Sequence, residues 1–252
     1  TLGFHLPVMT SDLLFDLADY VAAAAMTLAL NRGEPSPVPT PLKTRYLLIL
    51  TQGVILGSLL LGTLILYLLG VGNVFGKSIL GAICGGILAV EAFKSFHGIQ
   101  GSTGARLVPG LALGIVIGRI GCFSAGLEDH THGIPTSLPW AVDFGDGVPR
   151  HPVQLYESGI MLLMLLTALT VRWRDRQANI GRLSRWLAGN MFYLFVLCYA
   201  LQRFAWEFLK PYAALVGPLN LIHLACIALA VYGLAMLRQT GDTPALSTGG
   251  AH

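Results

Sequence analysis

Two arginines stand inside otherwise apolar stretches, Arg119 in LGIVIGRIGCF and Arg203 in LCYALQRFAWEF. A guanidinium keeps its charge when desolvated and forms bidentate bonds to phosphate, so this pair points to a phosphate-bearing ligand. Glu207 follows Arg203 by four residues, one helical turn, and can pair with it. Tyr156 and Glu157 open a further apolar stretch, and the spacing of Asp12, Asp16 and Asp19 puts them on one helical face. The alternative is structural. Both arginines would then pair with buried acids, those of the first helix included, to fix the helices, since buried pairs are costly and not always functional.

Other polar residues carry less chemistry. Glu128, His130, His132 and His151 fall in or beside one loop, but an HxH without a fixed partner is a weak ligand pattern. Neither a metal nor a cofactor is expected. His223 reads as a helix-to-helix hydrogen bonder. Cys84, Cys122, Cys198 and Cys226 lie in apolar runs with no CxxC, as small core side chains do.

The elements that position these residues follow from composition. Of 252 residues 54% are hydrophobic and 30 are glycine, while charged residues make up 12%, about half the usual share. Mean hydropathy is +0.66. A soluble globular enzyme and a disordered chain are both excluded. A net charge of +3 does not suit a nucleic-acid binder. An all-α integral membrane protein is expected, with about seven transmembrane helices near 13–30, 46–71, 78–93, 107–125, 153–171, 186–208 and 213–237. Residues 1–237 read as one polytopic domain and 238–252 as a disordered tail. The opening TLGFHLPVMTSD lacks a basic run ahead of an apolar core, so no cleavable signal peptide is expected there.

Loops 31–45, 94–106 and 172–185, with the tail, hold 11 of the 16 lysines and arginines; Lys77, Arg150 and Lys210 lie on the other side. This bias predicts an N-terminus outside and a cytoplasmic C-terminus. At 1.5 Å per residue Arg119 lies about 18 Å up the fourth helix and Arg203 about 25 Å up the sixth, both towards the outer leaflet. Gly110, Gly114, Gly118 and Gly121 form a small-residue stripe for close helix approach. The outer loop 126–152, between the fourth and fifth helices, is rich in Gly, Pro and Trp and reads as ordered.

GRIGCF (118–123), GIPTSLPW (133–140) and RHPVQLYE (150–157), in this order and spacing, resemble the signature region of the bacterial prolipoprotein diacylglyceryl transferase family. YALQRFAWEFLK (199–210) is similar to that family's Tyr-x-x-x-Arg-x-x-x-Glu pattern, and the resemblance covers roughly residues 76–235. It implies an inner-membrane enzyme that moves a diacylglyceryl group from phosphatidylglycerol to the lipobox cysteine of a prolipoprotein signal peptide, releasing glycerol phosphate. On that resemblance Arg119 and Arg203 hold the phosphate and Glu207 orients Arg203. Tyr156, Glu157 and Tyr199 shape the site, Gly118, Gly121 and Cys122 belong to its substrate-binding motif, and Gly133 lets the loop approach lipid. The partners implied are an anionic phospholipid, the bilayer and the signal peptide, with no nucleic acid.

The sequence departs from this pattern in three places. The family's His-Gly-Gly, about 40 residues before the arginine, is met by Leu80-Gly81, and leucine accepts no proton. His97-Gly98 is a decoy, only 22 residues before Arg119 and at the opposite side of the membrane. Cys122 replaces the usual Asn. Leu127 replaces the acid expected eight residues after the arginine, leaving Glu128, with Asp129 next to it, to supply the carboxylate. A base must then come from elsewhere, Glu128, His130 or His151 among the loop residues. Action on a different acceptor, or a non-catalytic phospholipid-binding role, stays open beside the transferase reading. A transporter is disfavoured, because no pair of broken helices is visible.

Overall fold

The computed structural model describes residues 8–68, 75–177, 181–212 and 214–241. The opening residues, the side chain of Asp12 and the tail from 242 lie outside them. The described residues form seven long helices: α1 (Val8–Leu30), α2 (Lys43–Leu68), α3 (Ile79–His97), α4 (Val108–Ala125), α5 (Val153–Asp175), α6 (Arg182–Glu207) and α7 (Leu221–Gly241). Five of them, all but α1 and α6, are long and apolar enough to cross a membrane. The chain is an all-α membrane protein. Large apolar side chains such as Leu60, Leu88, Leu163 and Val231 point outwards, as they do where acyl chains are the solvent.

Helices pack in the order α2–α3–α7–α6–α5–α4–α1. Glycine sets the closest approaches. A Cβ on Gly85 of α3 would stand 2.1 Å from the Gly53 carbonyl of α2, and one on Gly81 would stand 2.3 Å from that of Gly57. The stripe on α4 serves α1: Cβ atoms on Gly110 and Gly121 would meet Thr27 and Phe15 at 2.1 and 2.7 Å. Without lipid-excluded hydrophobic force between helices, this intimacy is what van der Waals packing requires. Among the described residues no broad face joins α1 or α4 to α2 or α3, and one apolar core runs through both halves.

Several boundaries shift by a few residues from expectation, the start of the last helix most of all. The last helix begins at Leu221 rather than near 213, because Gly217 adopts φ +56° in a tight turn with Pro218 next to it. Asn220 then caps α7, its Oδ1 accepting from Ile222 N–H (3.0 Å) and His223 N–H (3.1 Å). α3 starts where Ser78 accepts from Gly81 N–H (3.2 Å) and stops at Gly98 in the left-handed region.

The loop between α4 and α5 is ordered. It carries a short ribbon, β1 (Val142–Asp143) against β2 (Pro149–Arg150), closed by a turn in which Asp143 Oδ1 accepts from Gly145 and Gly147 N–H. Ile134 N–H donates to the Leu209 carbonyl (2.7 Å) and the Tyr212 hydroxyl to the His130 carbonyl (2.8 Å), which straps the loop over the ends of α4, α5 and α6.

Candidate functional site

The last turns of α4 and α6 and the first turn of α5 meet beneath that loop. Glu157, 1% exposed, is the hub. Its carboxylate takes Arg119 Nε at 2.6 Å, Arg203 Nη1 at 3.0 Å and Lys210 Nζ at 2.9 Å. Arg203 also pairs with Glu207 at 2.6 Å, and Asn220 Nδ2 donates to the other Glu207 oxygen at 2.7 Å. All five charged groups are at least nine-tenths buried. Isolated charges cannot persist in such surroundings, and the paired geometry is what keeps them ionised.

The cluster is not balanced. Three cations face two carboxylates, and the next acid, Asp129, stands half-buried at the rim, where its field reaches Arg119 and Cys122. A surplus positive charge in a low-dielectric site attracts an anion strongly. Several neutral dipoles nearby are also unsatisfied by protein. Gln154, one turn before Glu157, Gln202, one turn after Tyr199, and the Tyr199 hydroxyl are buried without protein hydrogen-bond partners. The Lys210 ammonium lies beyond the end of α6, and its pKa is lowered to about 8 by burial first and by Arg203 next, against the pull of Glu157.

The residues expected at the site are distributed as follows. Arg119, Arg203, Glu207 and Glu157 share one cluster, and Tyr199 is buried within reach of their fields. Cys122 Sγ is 4.0 Å from Arg119 Nη1. Tyr156 lies one layer out, accepting from Trp140 Nε1 (2.7 Å) and packed on Trp206 and His151. Gly118 and Gly121 face Asp19 and Phe15 of α1, so their direct neighbours are helix atoms. Gly133 has its close approach to His151, whose carbonyl would be 2.4 Å from an added Cβ. Glu128 is exposed; Asp129 points to the site instead.

Asp16 and Asp19 of α1 are not the arginines' partners. Asp16 pairs with Lys77, and Asp19 lies against Gly118. Leu80 is buried in the apolar core. His97 is at the far end of α3, stacked on Phe93. His223 does not bridge helices by hydrogen bonds: its Nδ1 accepts from Asn220 N–H at its own helix start, while its ring packs against Phe204 and Phe208 of α6.

The family model for prolipoprotein diacylglyceryl transferase matches residues 17–238. The chain belongs to this family. It is 34% identical over 175 residues to the phosphatidylglycerol–prolipoprotein diacylglyceryl transferase of Methylococcus capsulatus, covering 64% of this chain and 60% of that protein. The Geobacter sulfurreducens protein of the same name is 32% identical over 174 residues, 66% of this chain and 60% of the relative. A longer match, 31% over 222 residues, is to the Bradyrhizobium diazoefficiens protein, covering 81% and 76%. The first two matches thus span about 60% of the relatives' length. Lys210 and Asn220 were not expected at the site, and Asp129 was named only beside Glu128. Lys210 carried one usable signal, its place three residues after Glu207 at the end of the charged turn.

Proposed function

We propose that this chain transfers a diacylglyceryl group from phosphatidylglycerol to the lipobox cysteine of a prolipoprotein, at the outer face of a bacterial inner membrane. The observation that carries the reading is the buried cluster with its surplus cation, supported by family membership. Arg119 and Arg203 present guanidinium groups suited to the oxygens of a phosphodiester, and the third cation, Lys210 when protonated, matches the second negative charge of the leaving phosphate. A sideways approach of lipid between α4 and α3 fits the lack of a broad face between them. The basic bias of the opposite loops supports a position of the cluster towards the outer leaflet.

In the transfer, the acceptor sulfur forms a bond to the glyceryl carbon while the carbon–oxygen bond to phosphate breaks. Glycerol phosphate leaves with both electrons of that bond. Arg119 and Arg203 stabilise the charge developing on its oxygen. A thiol attacks as thiolate, so its proton must go somewhere. Lys210 is the base: a pKa of about 8 matches a thiol, whereas Leu80 takes no proton. Once protonated, Lys210 adds its positive charge beside the leaving phosphate. Glu157 and Glu207 hold the cations in place.

The test uses purified protein in phosphatidylglycerol vesicles with a lipobox-cysteine peptide, following glycerol phosphate and peptide mass. Product is expected, with Arg119→Ala or Arg203→Ala lowering turnover by about 10²–10³. Unchanged turnover in both variants refutes the reading. Retained phospholipid without product favours the binding role for which Leu80 speaks.

A further inference from the structure

A second cationic site lies at the other end of the bundle, about 22 Å from Glu157 along α5 at 1.5 Å per residue. There a cavity of about 380 Å³ opens between the loop after α1, the start of α4, the end of α5 and the start of α6. That is within the size range of small-ligand sites. Arg106, Arg172, Arg176 and Arg185 line it, against Glu34 and Asp175. Its remaining wall is largely alanine, valine and proline.

Glu34 is heavily shared. Its carboxylate pairs with Arg172 at 2.8 Å, Arg176 at 2.9 Å and Arg106 at 3.6 Å. The Arg176 hydrogen bond, with Arg172 and Arg106 behind it, holds that carboxyl below the usual range. One carboxylate cannot satisfy three guanidinium groups, each with five N–H donors. The spare donors turn partly to backbone carbonyls: Arg172 and Arg176 reach Leu30, and Arg106 reaches Pro35. Arg172 Nε is buried with no hydrogen-bond partner. Arg185 has no ion pair among the described residues, and four arginines against two acids leave two positive charges around a cavity. Loose loop arginines on a membrane face explain a basic bias; four of them gathered from three segments around one hollow do not follow from it.

We propose that this cavity binds a phosphate group, carried either by an anionic phospholipid headgroup of that leaflet or by a free phosphate compound. Forked guanidinium groups and an apolar floor suit a headgroup whose glycerol end rests on the bundle. The site is independent of the transfer reaction at the other end.

The experiment pairs two probes with three proteins. Wild type, Arg185→Gln and Arg119→Gln are titrated with inorganic phosphate in detergent while thermal unfolding is followed. The same proteins are extracted from phosphatidylglycerol or phosphatidylcholine bilayers and weighed intact, so that retained lipid is counted. Arg185 anchors nothing else, which spares the fold; Arg172→Gln is avoided because Arg172 also ties α5 to Leu30 and Asn31. Wild type and Arg119→Gln are expected to respond saturably to phosphate or to retain phosphatidylglycerol, and Arg185→Gln to bind about tenfold more weakly, as loss of a charged hydrogen bond implies. A response to the lipid alone names the headgroup as the source, and a response to phosphate as well admits the free compound. The proposal is overturned if wild type responds to neither probe, or if binding is lost in Arg119→Gln and kept in Arg185→Gln. Transfer activity in Arg185→Gln should equal wild type, so failure here is separable from failure of the transferase reading.

Discussion

Replacing Lys210 by arginine separates two tasks that one side chain performs, supplying positive charge and taking a proton. Lys210 sits against Glu157, Arg203, Arg119 and Glu207, and burial shifts its pKa down to about 8. Because the neutral amine is the base, activity must rise with pH. At a pKa of about 8 roughly one tenth of the enzyme is competent at pH 7 and half at pH 8, so kcat should increase about fivefold over that interval and level off above about 9. Arginine stays protonated throughout, so Lys210→Arg keeps the charge and loses the base. Its kcat should fall by about 10²–10⁴ while apparent phosphatidylglycerol affinity changes only a few-fold. The acceptor thiol also ionises near about 8.5 and would produce a similar rise by itself. The variant distinguishes them. If the slope belongs to the substrate thiol, Lys210→Arg retains it; if it belongs to Lys210, the residual rate is flat between pH 7 and 9. A variant with wild-type turnover and an undiminished slope refutes Lys210 as base.

Three further outcomes follow from packing and charge. Glu157→Gln leaves three buried cations to one carboxylate and should cost about 3–5 kcal/mol in detergent unfolding, part of it recovered when inorganic phosphate is added. Gly85→Val drives a side chain into the Gly53 carbonyl, 2.1 Å from the Cβ position, and should destabilise the α2–α3 pair by about 1–3 kcal/mol, read as faster proteolysis between them. Gly133→Ala must push the loop off His151, so turnover should drop while helical circular dichroism is kept, because the displaced segment carries Asp129 and Trp140 but no helix.

Local features of this fold were legible and cross-helix partners were not. Arg203 and Glu207 are one turn apart, so their pairing could be read from spacing, and the observed contact is 2.6 Å. The glycine stripe of α4 announced a close neighbour without saying which, and α1 is the neighbour. Glu157 is the opposite case. It joins the ends of α4 and α6 across 38 and 46 residues of chain, and no periodicity encodes such a meeting. Asp16 and Asp19 of α1 were reasonable rivals for Arg119 by level alone, yet Asp16 pairs with Lys77 and Asp19 lies against Gly118. Lys210 closes the YALQRFAWEFLK stretch but entered the sequence reading otherwise only as one positive charge in an orientation count, because its burial depends on the strap from Ile134 to Leu209. Between Glu128 and Asp129 a single residue of loop phase decides which carboxylate reaches the site, and composition does not set that phase.

The charge arithmetic of the cluster links its structural and chemical roles. With Lys210 neutral, Arg119 and Arg203 are matched by Glu157 and Glu207, and the buried group is uncharged, the cheapest condition for an apolar bundle. Phosphatidylglycerol brings one negative charge and glycerol phosphate leaves with nearly two, so the demand for a cation grows as the bond breaks. The thiol proton, arriving on Lys210, meets that demand within the cluster at the moment it arises. An arginine at this position would hold the extra charge from the start and favour the substrate as much as the leaving group. Binding energy spent equally on both states does not accelerate the step. A titrating lysine therefore does more here than a permanent cation, and its value depends on the burial that Glu157 alone would not require.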